Sequence, residues 1–445
     1  MKRPKWPVVR LGSFAEFRNG LNYNKDNFGT GLKVINVKDF QDRLIADFTA
    51  LDEINPEGLV RDECFIRDGD ILFVRSNGNR ELIGRSMLVA GVKEKISHSA
   101  FSIKARFNTE DVLPRFYAYL FRTSLIRKEL SNRGGGTNIS NLNQDILNSL
   151  DVPKPPLLTQ RKIAGILSAY DDLIENNTRR IAILEQMAQS IYREWFVNYR
   201  FPGHQNVKLV DTPLGKIPEG WKVETIGSTL DFHIGGGWGQ ETANDEFTNP
   251  AFVIRGTDIP DARSLRVVDC PLRFHTDSNI RTRKLRPNDL IFEVSGGSKG
   301  QPVGRCLFVS ERLLKRFDSD VICASFCKVI RANPAILVPE ILYHFLAECY
   351  TDGTIEQYEV QSTGIKNFKF MVFLESESLV VPVAEVQKNF VGHIRPILDA
   401  VHAFGKKNET LRQTRDLLLP KLISGQLDVE DLDIDTGEPL VEAEA

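Results

Sequence analysis

The amino-acid sequence contains an internal repeat, and this repeat constrains the fold more than any other feature. Trp6-Pro-Val-Val-Arg-Leu-Gly-Ser13 is matched by Trp221-Lys-Val-Glu-Thr-Ile-Gly-Ser228, about 215 positions later. Further pairs follow in the same order, at an offset that rises to about 229: Val34-Ile35 with Val253-Ile254, Arg67-Asp-Gly-Asp-Ile-Leu-Phe73 with Arg286-Pro-Asn-Asp-Leu-Ile-Phe292, Gly84-Arg85 with Gly304-Arg305, Ile139-Ser-Asn-Leu142 with Ile365-Lys-Asn-Phe368, and Leu150-Asp-Val-Pro153 with Leu379-Val-Val-Pro382. Such an ordered series indicates that the chain is built twice on one pattern.

Each copy opens with about 150 residues of short apolar runs that Gly, Asn and Pro separate. This pattern is typical of strands and turns with a few helices. Short helices are predicted at 113–129 and 338–348. We therefore expect each copy to begin with an α/β globule.

Each copy then continues into one long helical pattern. In the second copy the apolar steps are mostly four and three, which is the heptad spacing of a coiled coil. The seam positions are Ile163, Ile166, Tyr170, Leu173, Ile181, Leu184, Met187, Ile191 and Trp195 in the first copy, and Phe390, Ile394, Ile397, Val401, Phe404, Asn408, Leu411, Leu418 and Leu422 in the second. Asn176, Asn177 and Asn408 interrupt these seams, where a polar residue usually fixes register.

The order of these parts predicts the architecture. A helix of about 35 residues is ~50 Å long at 1.5 Å per residue, so the second globule begins at its far end. If the second helix pairs with the first, it returns antiparallel. The predicted fold class is mixed α+β: two similar α/β globules separated by two long antiparallel coiled-coil helices and related by a pseudo-two-fold axis.

This geometry has two functional interpretations. Two like modules suit DNA, where readers of the major groove lie about one helical turn, ~34 Å, or a multiple of it apart. A coiled coil that joins two protein-binding domains explains the pattern equally well.

Composition narrows the class of protein. The chain has 445 residues, of which 42% are hydrophobic and 26% charged, as in a soluble protein of two or three domains. It has no run of 18 apolar residues and no N-terminal hydrophobic core, and its six cysteines are too sparse for a disulfide framework. We expect a cytoplasmic protein.

Charge is unevenly distributed along the chain. Residues 426–445 hold eight acidic and no basic side chains, so a net charge of −2 becomes +6 for residues 1–425. A mildly basic body is compatible with nucleic-acid binding. The acidic tail is expected to be mobile.

Five segments carry a family resemblance. They are Thr159-Gln-Arg-Lys-Ile-Ala-Gly-Ile-Leu167, Asp171-Asp-Leu-Ile-Glu-Asn-Asn177, the stretch from Gln189 to His204, Pro218-Glu-Gly-Trp221, and Leu418-Leu-Pro-Lys-Leu-Ile-Ser-Gly425. In this order, and over nearly the full length, the chain resembles the specificity (S) subunit of type I restriction–modification enzymes.

The resemblance implies a subunit that reads an asymmetric, bipartite DNA target and carries out no chemistry itself. Each globule would be a target recognition domain, and the helices would set the gap and dock the partners. The implied partners are double-stranded DNA, two adenine methyltransferase subunits and restriction/translocase subunits, on which S-adenosylmethionine, ATP and Mg²⁺ are expected. The domains are then 1–156 (first recognition domain), 157–200 (first conserved helix), 201–217 (linker), 218–384 (second recognition domain), 385–425 (second conserved helix) and 426–445 (acidic tail).

The sequence lacks the motifs of an enzyme. No G-x-x-x-x-G-K-[ST] phosphate loop is present, and Pro155-Pro156 lacks the flanking Asn or Asp and the aromatic residue that amino-methyltransferases use. His204 and His233 have no partners at metal-ligand spacing, so neither a catalytic residue nor a metal site is expected. A self-contained nuclease or methyltransferase is disfavoured, and a non-catalytic coiled-coil adaptor remains the alternative.

Candidate DNA contacts are polar residues on loops, since Arg, Lys, Asn, Gln and Ser read base edges or bind phosphates. In the first domain they are Arg75, Asn77, Asn79, Arg80, Arg133, Thr137, Asn138, Ser140 and Asn141. In the second they are Trp238, Gln240, Ser295, Ser298, Lys299, Gln301, Thr363, Lys366, Asn367 and Lys369. Each is equally consistent with a solvated or turn-forming residue.

Trp195, Phe196 and Tyr199 lie where the first helix ends. They are candidates for docking a methyltransferase subunit, and packing onto the second globule explains them equally well. The glycine runs at 134–136 and 235–237 are explained as readily by turns as by the approach of a ligand.

Overall fold

The chain folds into two compact units. The computed structural model describes residues 5–41, 43–58, 60–133, 141–266, 270–296, 301–362 and 365–434. The first unit combines Met1–Asp172 with Arg412–Ala445, and the second is Leu173–Leu411. Each unit therefore contains one globule and a part of each long helix, and the predicted fold class is confirmed.

The first unit is built on one four-stranded sheet, one three-stranded sheet and one strand pair. Its strands are β1 Val8–Arg10, β2 Ala15–Asn19, β3 Phe28–Ile35, β4 Asp52–Ile54, β5 Ile71–Val74, β6 Ser86–Leu88, β7 Ile96–His98, β8 Ser102–Phe107 and β9 Asp151–Pro153. Its helices are α1 Pro114–Arg122, α2 Ser124–Arg133, α3 Gln144–Asn148 and the start of α4 Leu157–Tyr192. The strand orders are β2-β8-β5-β6, β4-β3-β7 and β1-β9.

The second unit repeats this topology. Its strands are β10 Leu209–Thr212, β11 Gly215–Pro218, β12 Lys222–Thr225, β13 Leu230–Gly235, β14 Asn249–Ile254, β15 Leu272–His275, β16 Leu290–Glu293, β17 Ser295–Gly296, β18 Cys306–Phe308, β19 Asp320–Cys323, β20 Cys327–Ala332, β21 Glu359–Ser362, β22 Ile365–Phe368 and β23 Ser378–Val381. Its helices are α5 Ile259–Arg263, α6 Asp277–Arg283, α7 Glu311–Leu314, α8 Pro339–Thr351, α9 Phe370–Ser376 and most of α10 Ala384–Ile423. The orders β13-β20-β16-β18, β15-β14-β19 and β12-β23 match those of the first unit strand for strand.

A buried ion pair recurs in both large sheets. Arg106 on β8 donates two hydrogen bonds to the carboxylate of Asp70, which precedes β5, and both are 2.7 Å long. Arg331 on β20 bonds Asp289, which precedes β16, over 2.7 and 2.9 Å. Both carboxylates are buried and each also accepts the backbone N–H three residues before it. The pair therefore fixes the start of one strand against its neighbour in each sheet.

A buried glutamine joins each globule to its long helix. The amide of Gln160 accepts the N–H of Leu113, just before α1, and donates to the carbonyl oxygens of Asp111 and Pro155, over 2.8 to 3.0 Å. Gln387 makes the same three bonds in the second unit, to Val338, Ile336 and Pro382, over 2.8 to 2.9 Å. The side chain supplies a partner for an N–H at the start of the short helix, which has none within that helix.

The two long helices pair antiparallel in each unit. In the first, Asp171 of α4 forms an ion pair with Arg415 of α10. In the second, Asn177 donates to Asn408 over 2.9 Å, and the ring of Tyr192 lies 6.3 Å from that of Phe390. Residue numbers rise on one helix as they fall on the other, as the heptad pattern predicted.

The asparagine prediction is right for two residues and wrong for the third. Asn177 and Asn408 are buried and bonded to each other, and Asn408 also donates to Thr178 and to the carbonyl oxygen of Ile174. Asn176 is exposed, because one residue step turns a side chain away from a helical seam.

Three further predictions differ from the structure. The helix expected at 113–129 is two helices, because Thr123 is extended and its hydroxyl donates to the carbonyl oxygen of Leu120. The mobile acidic tail is wrong for residues 426–434: Lys5 pairs with Asp428 and Glu430, at 2.7 and 3.0 Å, and Val429 is buried. The segment predicted as a linker, 201–217, holds most of the hairpin β10–β11.

Replacing Asn408 by Leu is expected to destabilise the second unit by about 1–3 kcal/mol, because it leaves the buried amide of Asn177 without its partner. Thermal unfolding followed by circular dichroism measures the effect. The matched control Asn176→Leu, on the exposed face, should change stability by less than ~0.5 kcal/mol. Equal effects of the two substitutions would contradict a buried amide pair in the seam.

Candidate nucleic-acid interface

In the first unit, three chain segments meet where strand β5 ends. The N–H groups of Arg75 and Ser76 both donate to the carbonyl oxygen of Phe101, over 2.8 and 3.3 Å. The N–H of Leu142 donates to the carbonyl oxygen of Arg75 over 2.8 Å, and Ser76 forms an isolated bridge with Asn141. We call this the first strand-end surface; it comprises residues 75–79, 99–102, 141 and 142.

The second unit builds the same surface where strand β16 ends. The N–H groups of Val294 and Ser295 both donate to the carbonyl oxygen of Phe326, over 2.9 and 3.2 Å. The N–H of Phe368 donates to the carbonyl oxygen of Val294 over 2.9 Å, and Ser295 pairs with Asn367. The second strand-end surface comprises residues 294–296, 324–327 and 365–369, and its backbone bonds match those of the first one by one.

A glycine lies behind each surface for a steric reason. A Cβ atom on Gly20 would lie 2.1 Å from the carbonyl oxygen of His98, and one on Gly236 would lie 2.1 Å from that of Ala324. Only glycine permits this approach of two backbone segments. Packing therefore explains Gly236 in the run at 235–237, whereas a Cβ atom on Gly235 would meet nothing within 4 Å. The run at 134–136 lies outside the described residues.

The candidates of the first unit differ in how free their side chains are. Arg75 donates to the carbonyl oxygen of Ala100 over 3.2 Å. The amide oxygens of Asn77 and Asn79 accept the N–H groups of Asn79 and Glu81, over 2.7 and 3.0 Å, so both shape the turn. Asn79 and Asn141 are exposed. Arg133 is exposed and pairs with Glu129 at 2.7 Å, while Thr137, Asn138, Ser140 and the side chain of Arg80 lie outside the described residues.

In the second unit, one candidate is a framework residue. Ser295 is buried, and its hydroxyl donates to the amide oxygen of Asn367 over 2.8 Å. This bond uses the hydroxyl inside the protein, which favours the turn-forming interpretation of Ser295 over a DNA contact. Lys366 pairs with Glu359 at 2.7 Å, Gln301 is half-buried, and Lys369 is exposed. Ser298, Lys299 and Thr363 lie outside the described residues.

The loop that carries Trp238 and Gln240 presents an aromatic surface. The Trp238 ring is 42% exposed, and the Arg273 guanidinium lies over it at 5.1 Å. Gln240 and Phe274 exchange two backbone hydrogen bonds of 2.9 Å, which tie the loop to β15. Gly239, with φ of +71°, permits this because a Cβ atom there would lie 2.5 Å from the carbonyl oxygen of Phe274. Burial beside this loop lowers the pKa of His275, whose ring therefore stays neutral near pH 7.

Sequence reasoning missed two aromatic residues on these surfaces. Phe101 is 60% exposed and Phe326 is 53% exposed, and they occupy the same position in the two units. The available signal was the alignment of the repeats, in which these residues and the ion-pair arginines Arg106 and Arg331 are both 225 positions apart.

The proposed docking residues mostly face inward. Trp195 and Phe196 are buried, with ring centroids 5.8 and 4.8 Å from that of Phe390. Tyr199 is half-buried, 5.8 Å from the Trp221 ring. Of the two interpretations of Trp195 and Phe196, these contacts favour packing within the second unit over docking of a partner.

Together, the strand-end surfaces expose amide, ammonium and aromatic groups on loops that the sheets hold in place. Such groups can hydrogen-bond base edges, neutralise phosphates and stack on bases. Within the described ranges, no three His, Cys, Asp or Glu residues are arranged to hold a metal ion. In the same part of the chain, every helix is too short or too polar to cross a lipid bilayer.

Comparison with known proteins shows which proteins the chain is similar to. Residues 4–186 match the family model of the type I restriction modification DNA specificity domain. The MjaIX specificity subunit of Methanocaldococcus jannaschii is 25% identical over 73% of this chain and 71% of its own length. The EcoKI specificity subunit of Escherichia coli K12 is 24% identical over 97% and 92%. A crystal structure of the S subunit from M. genitalium aligns over 95% of this chain and 97% of its own, at 12% identity and a TM-score of 0.49.

The family match covers the first recognition domain and most of α4, and the relatives extend it to the second half of the chain. Over residues 4–186 the chain is thus similar to the DNA specificity domain of type I restriction–modification systems, and over most of its length it is similar to specificity subunits of such enzymes.

Proposed function

We propose that this chain reads an asymmetric, split DNA sequence, with one half contacted by each unit. The observation that carries the proposal is the pair of strand-end surfaces, which have the same backbone hydrogen bonds in both units. Two copies of one reading scaffold in a single chain suit a target with two separated parts.

The two halves of the target should differ in sequence because the side chains on the two scaffolds differ. Both surfaces carry an asparagine at the matched positions 141 and 367, but the first adds Asn77 and Asn79, whereas the second adds Lys366 and Lys369. Amides can bond adenine through two hydrogen bonds, whereas lysine favours guanine or phosphate. One scaffold with two sets of side chains therefore gives a bipartite and asymmetric motif.

The partners and the cofactors are inferred from the similarity to specificity subunits. We infer that the chain docks two adenine methyltransferase subunits and joins restriction/translocase subunits, and that S-adenosylmethionine, ATP and Mg²⁺ bind to those partners. We place it in the cytoplasm, with the chromosomal DNA. Its six cysteines are free thiols, as a reducing compartment permits.

The helices α4 and α10 each contribute residues to both units. We propose that they set the number of unread base pairs between the two halves of the target. The antiparallel seam, with its buried asparagine pair, would keep that number constant.

Methylation mapping by single-molecule sequencing tests the proposed function. The source genome should carry one split motif, methylated on adenine, with a spacer of several unread bases. This motif should disappear when the gene for this chain is deleted and return when it is restored. The absence of any motif that depends on the gene would contradict the proposal.

The coiled-coil adaptor predicts a different result in a binding experiment. With methyltransferase subunits present, an adaptor should bind every duplex in the non-specific range, ~10⁻⁴ to 10⁻⁶ M at physiological salt. A specificity subunit should prefer the split motif by at least ~10³-fold.

Paired substitutions assign each half of the motif to one unit. Replacing Asn77 and Arg80 by Ala should relax one half, because each well-placed pair of contacts contributes ~1–3 kcal/mol of discrimination. The matched double change of Lys366 and Lys369 to Ala should leave that half unchanged and affect the other half or phosphate binding. Methylation mapping of both variants is the measurement. If both double variants altered the same half of the motif, or if neither variant altered the motif, the proposal of one reading surface per unit would be contradicted.

Lengthening both helices tests whether they set the spacer. Seven residues inserted after Asp172 and seven after Leu411 add two turns at the boundary between the units and keep the heptad register. Each insertion adds ~10 Å, which corresponds to about three base pairs at 3.4 Å each. The methylated motif should gain about three bases in its spacer or lose its methylation. An unchanged spacer with full methylation would show that the helices do not set the distance.

A further inference from the structure

We propose that Phe101 and Phe326 are apolar wedges, through which each unit stacks on or inserts between DNA bases whatever sequence it reads. This inference rests on the proposed function and adds a contact that the sequence comparison did not reveal. It starts from one juxtaposition: a solvent-exposed phenylalanine on each strand-end surface, at the same position in both units.

The backbone holds both residues in the same way. Phe101 is the third residue of a turn closed by the N–H of Ser102 donating to the carbonyl oxygen of Ser99, over 2.9 Å. Phe326 is the third residue of a turn closed in the same way by Cys327 and Ala324, also over 2.9 Å. Each phenylalanine carbonyl also accepts the two N–H bonds that end the neighbouring strand. The backbone of each phenylalanine is therefore held in place before binding, so that little conformational entropy is lost when the ring contacts a ligand.

Exposure of these rings is not explained by folding. A ring that is 60% or 53% exposed keeps much of its apolar surface in water, where it contributes little to stability. Single exposed apolar residues are common on protein surfaces. Here, however, an exposed phenylalanine occupies the same turn position in both repeats, although the residues around it differ. This indicates that both units use the ring to contact the same kind of molecule.

The residues around the two rings favour duplex DNA as the molecule that the rings contact. The backbone N–H of Arg75 donates to the carbonyl oxygen of Phe101, and the Arg75 guanidinium donates to the carbonyl oxygen of Ala100, the residue before the phenylalanine. The exposed amide residue Asn141 lies on the same surface. Phe326 shares its surface with Lys366 and Lys369. A ring among residues that suit base edges and phosphates is continuous with the proposed DNA interface.

The chemistry of the ring explains why it is the same in both units. A hydrogen-bonding side chain must change when the base that it reads changes. A phenyl ring stacks on any base, because every base has a π face, and apolar side chains inserted at a base step unstack the duplex locally. The same residue can therefore serve two different half-sites.

The test uses the full chain assembled with its methyltransferase subunits. Phe101→Ala and Phe326→Ala should each weaken binding roughly tenfold, equally for the target duplex and for an unrelated duplex. The methylated motif should stay the same. Phe101→Tyr, which keeps the ring, should bind like the unchanged protein, and Leu125→Ala, which removes an equally exposed apolar side chain from α2, should have no effect.

A fluorescence measurement reports the insertion directly. Duplexes carry 2-aminopurine at successive positions of one half-site, excluding the adenine that is methylated. Binding should raise the fluorescence at one step in each half-site, and the matching Phe→Ala variant should abolish the rise at its own half only. Thermal unfolding of both variants should be unchanged, since the rings are exposed.

Several results would overturn the inference. Unchanged affinity and fluorescence in both variants would remove the contact. A loss confined to the target duplex would make the rings base readers, and a loss of methyltransferase assembly would make them protein contacts. Failure of the proposed function is distinguishable, because the unchanged protein would then prefer no sequence at all.

Discussion

One buried glutamine fixes each globule to the start of its long helix, and the rest of the architecture depends on that junction. Two of the three hydrogen bonds of Gln160 and of Gln387 join the long helix to the segment that leads into the short helix of the same unit. The third bond goes to the carbonyl oxygen of a proline just before the long helix itself. A buried amide with fully matched partners permits only one orientation of the two elements. Each reading surface is consequently directed by the helix from which its domain extends.

The two strand-end surfaces are also built in the same way. In both units a strand ends, two N–H groups bond a phenylalanine carbonyl, and a segment that carries an asparagine closes the other side. The Asp–Arg pair at the opposite end of the strand fixes where that strand starts. Because main-chain bonds and buried pairs build the scaffold, exposed side chains can change without a change of fold. A specificity subunit needs this separation of scaffold and reader.

Periodicity and repetition made much of the fold predictable. The heptad steps gave the two helices and the antiparallel pairing, and the buried pair Asn177–Asn408 followed from polar residues in an apolar seam. Solvent exposure of single residues was not predictable, because it depends on contacts distant in sequence. Ser295 turned out to be buried, Trp195 lies in the core, and Phe101 was overlooked because a phenylalanine after a strand normally suggests packing. The mobile tail failed as a prediction for residues 426–434, because Lys5 supplies a counter-charge to Asp428.

The central claim is that the two units are equivalent readers on one scaffold. A chain in which residues 221–382 are replaced by a second copy of residues 6–153 tests it most directly, since both segments start at the matched tryptophan and end at the matched proline. Equivalent readers predict that the methylated motif becomes symmetric, with the half-site of the first unit on both sides of the spacer. A motif that stays asymmetric, or that keeps the half-site of the removed domain, would contradict the claim.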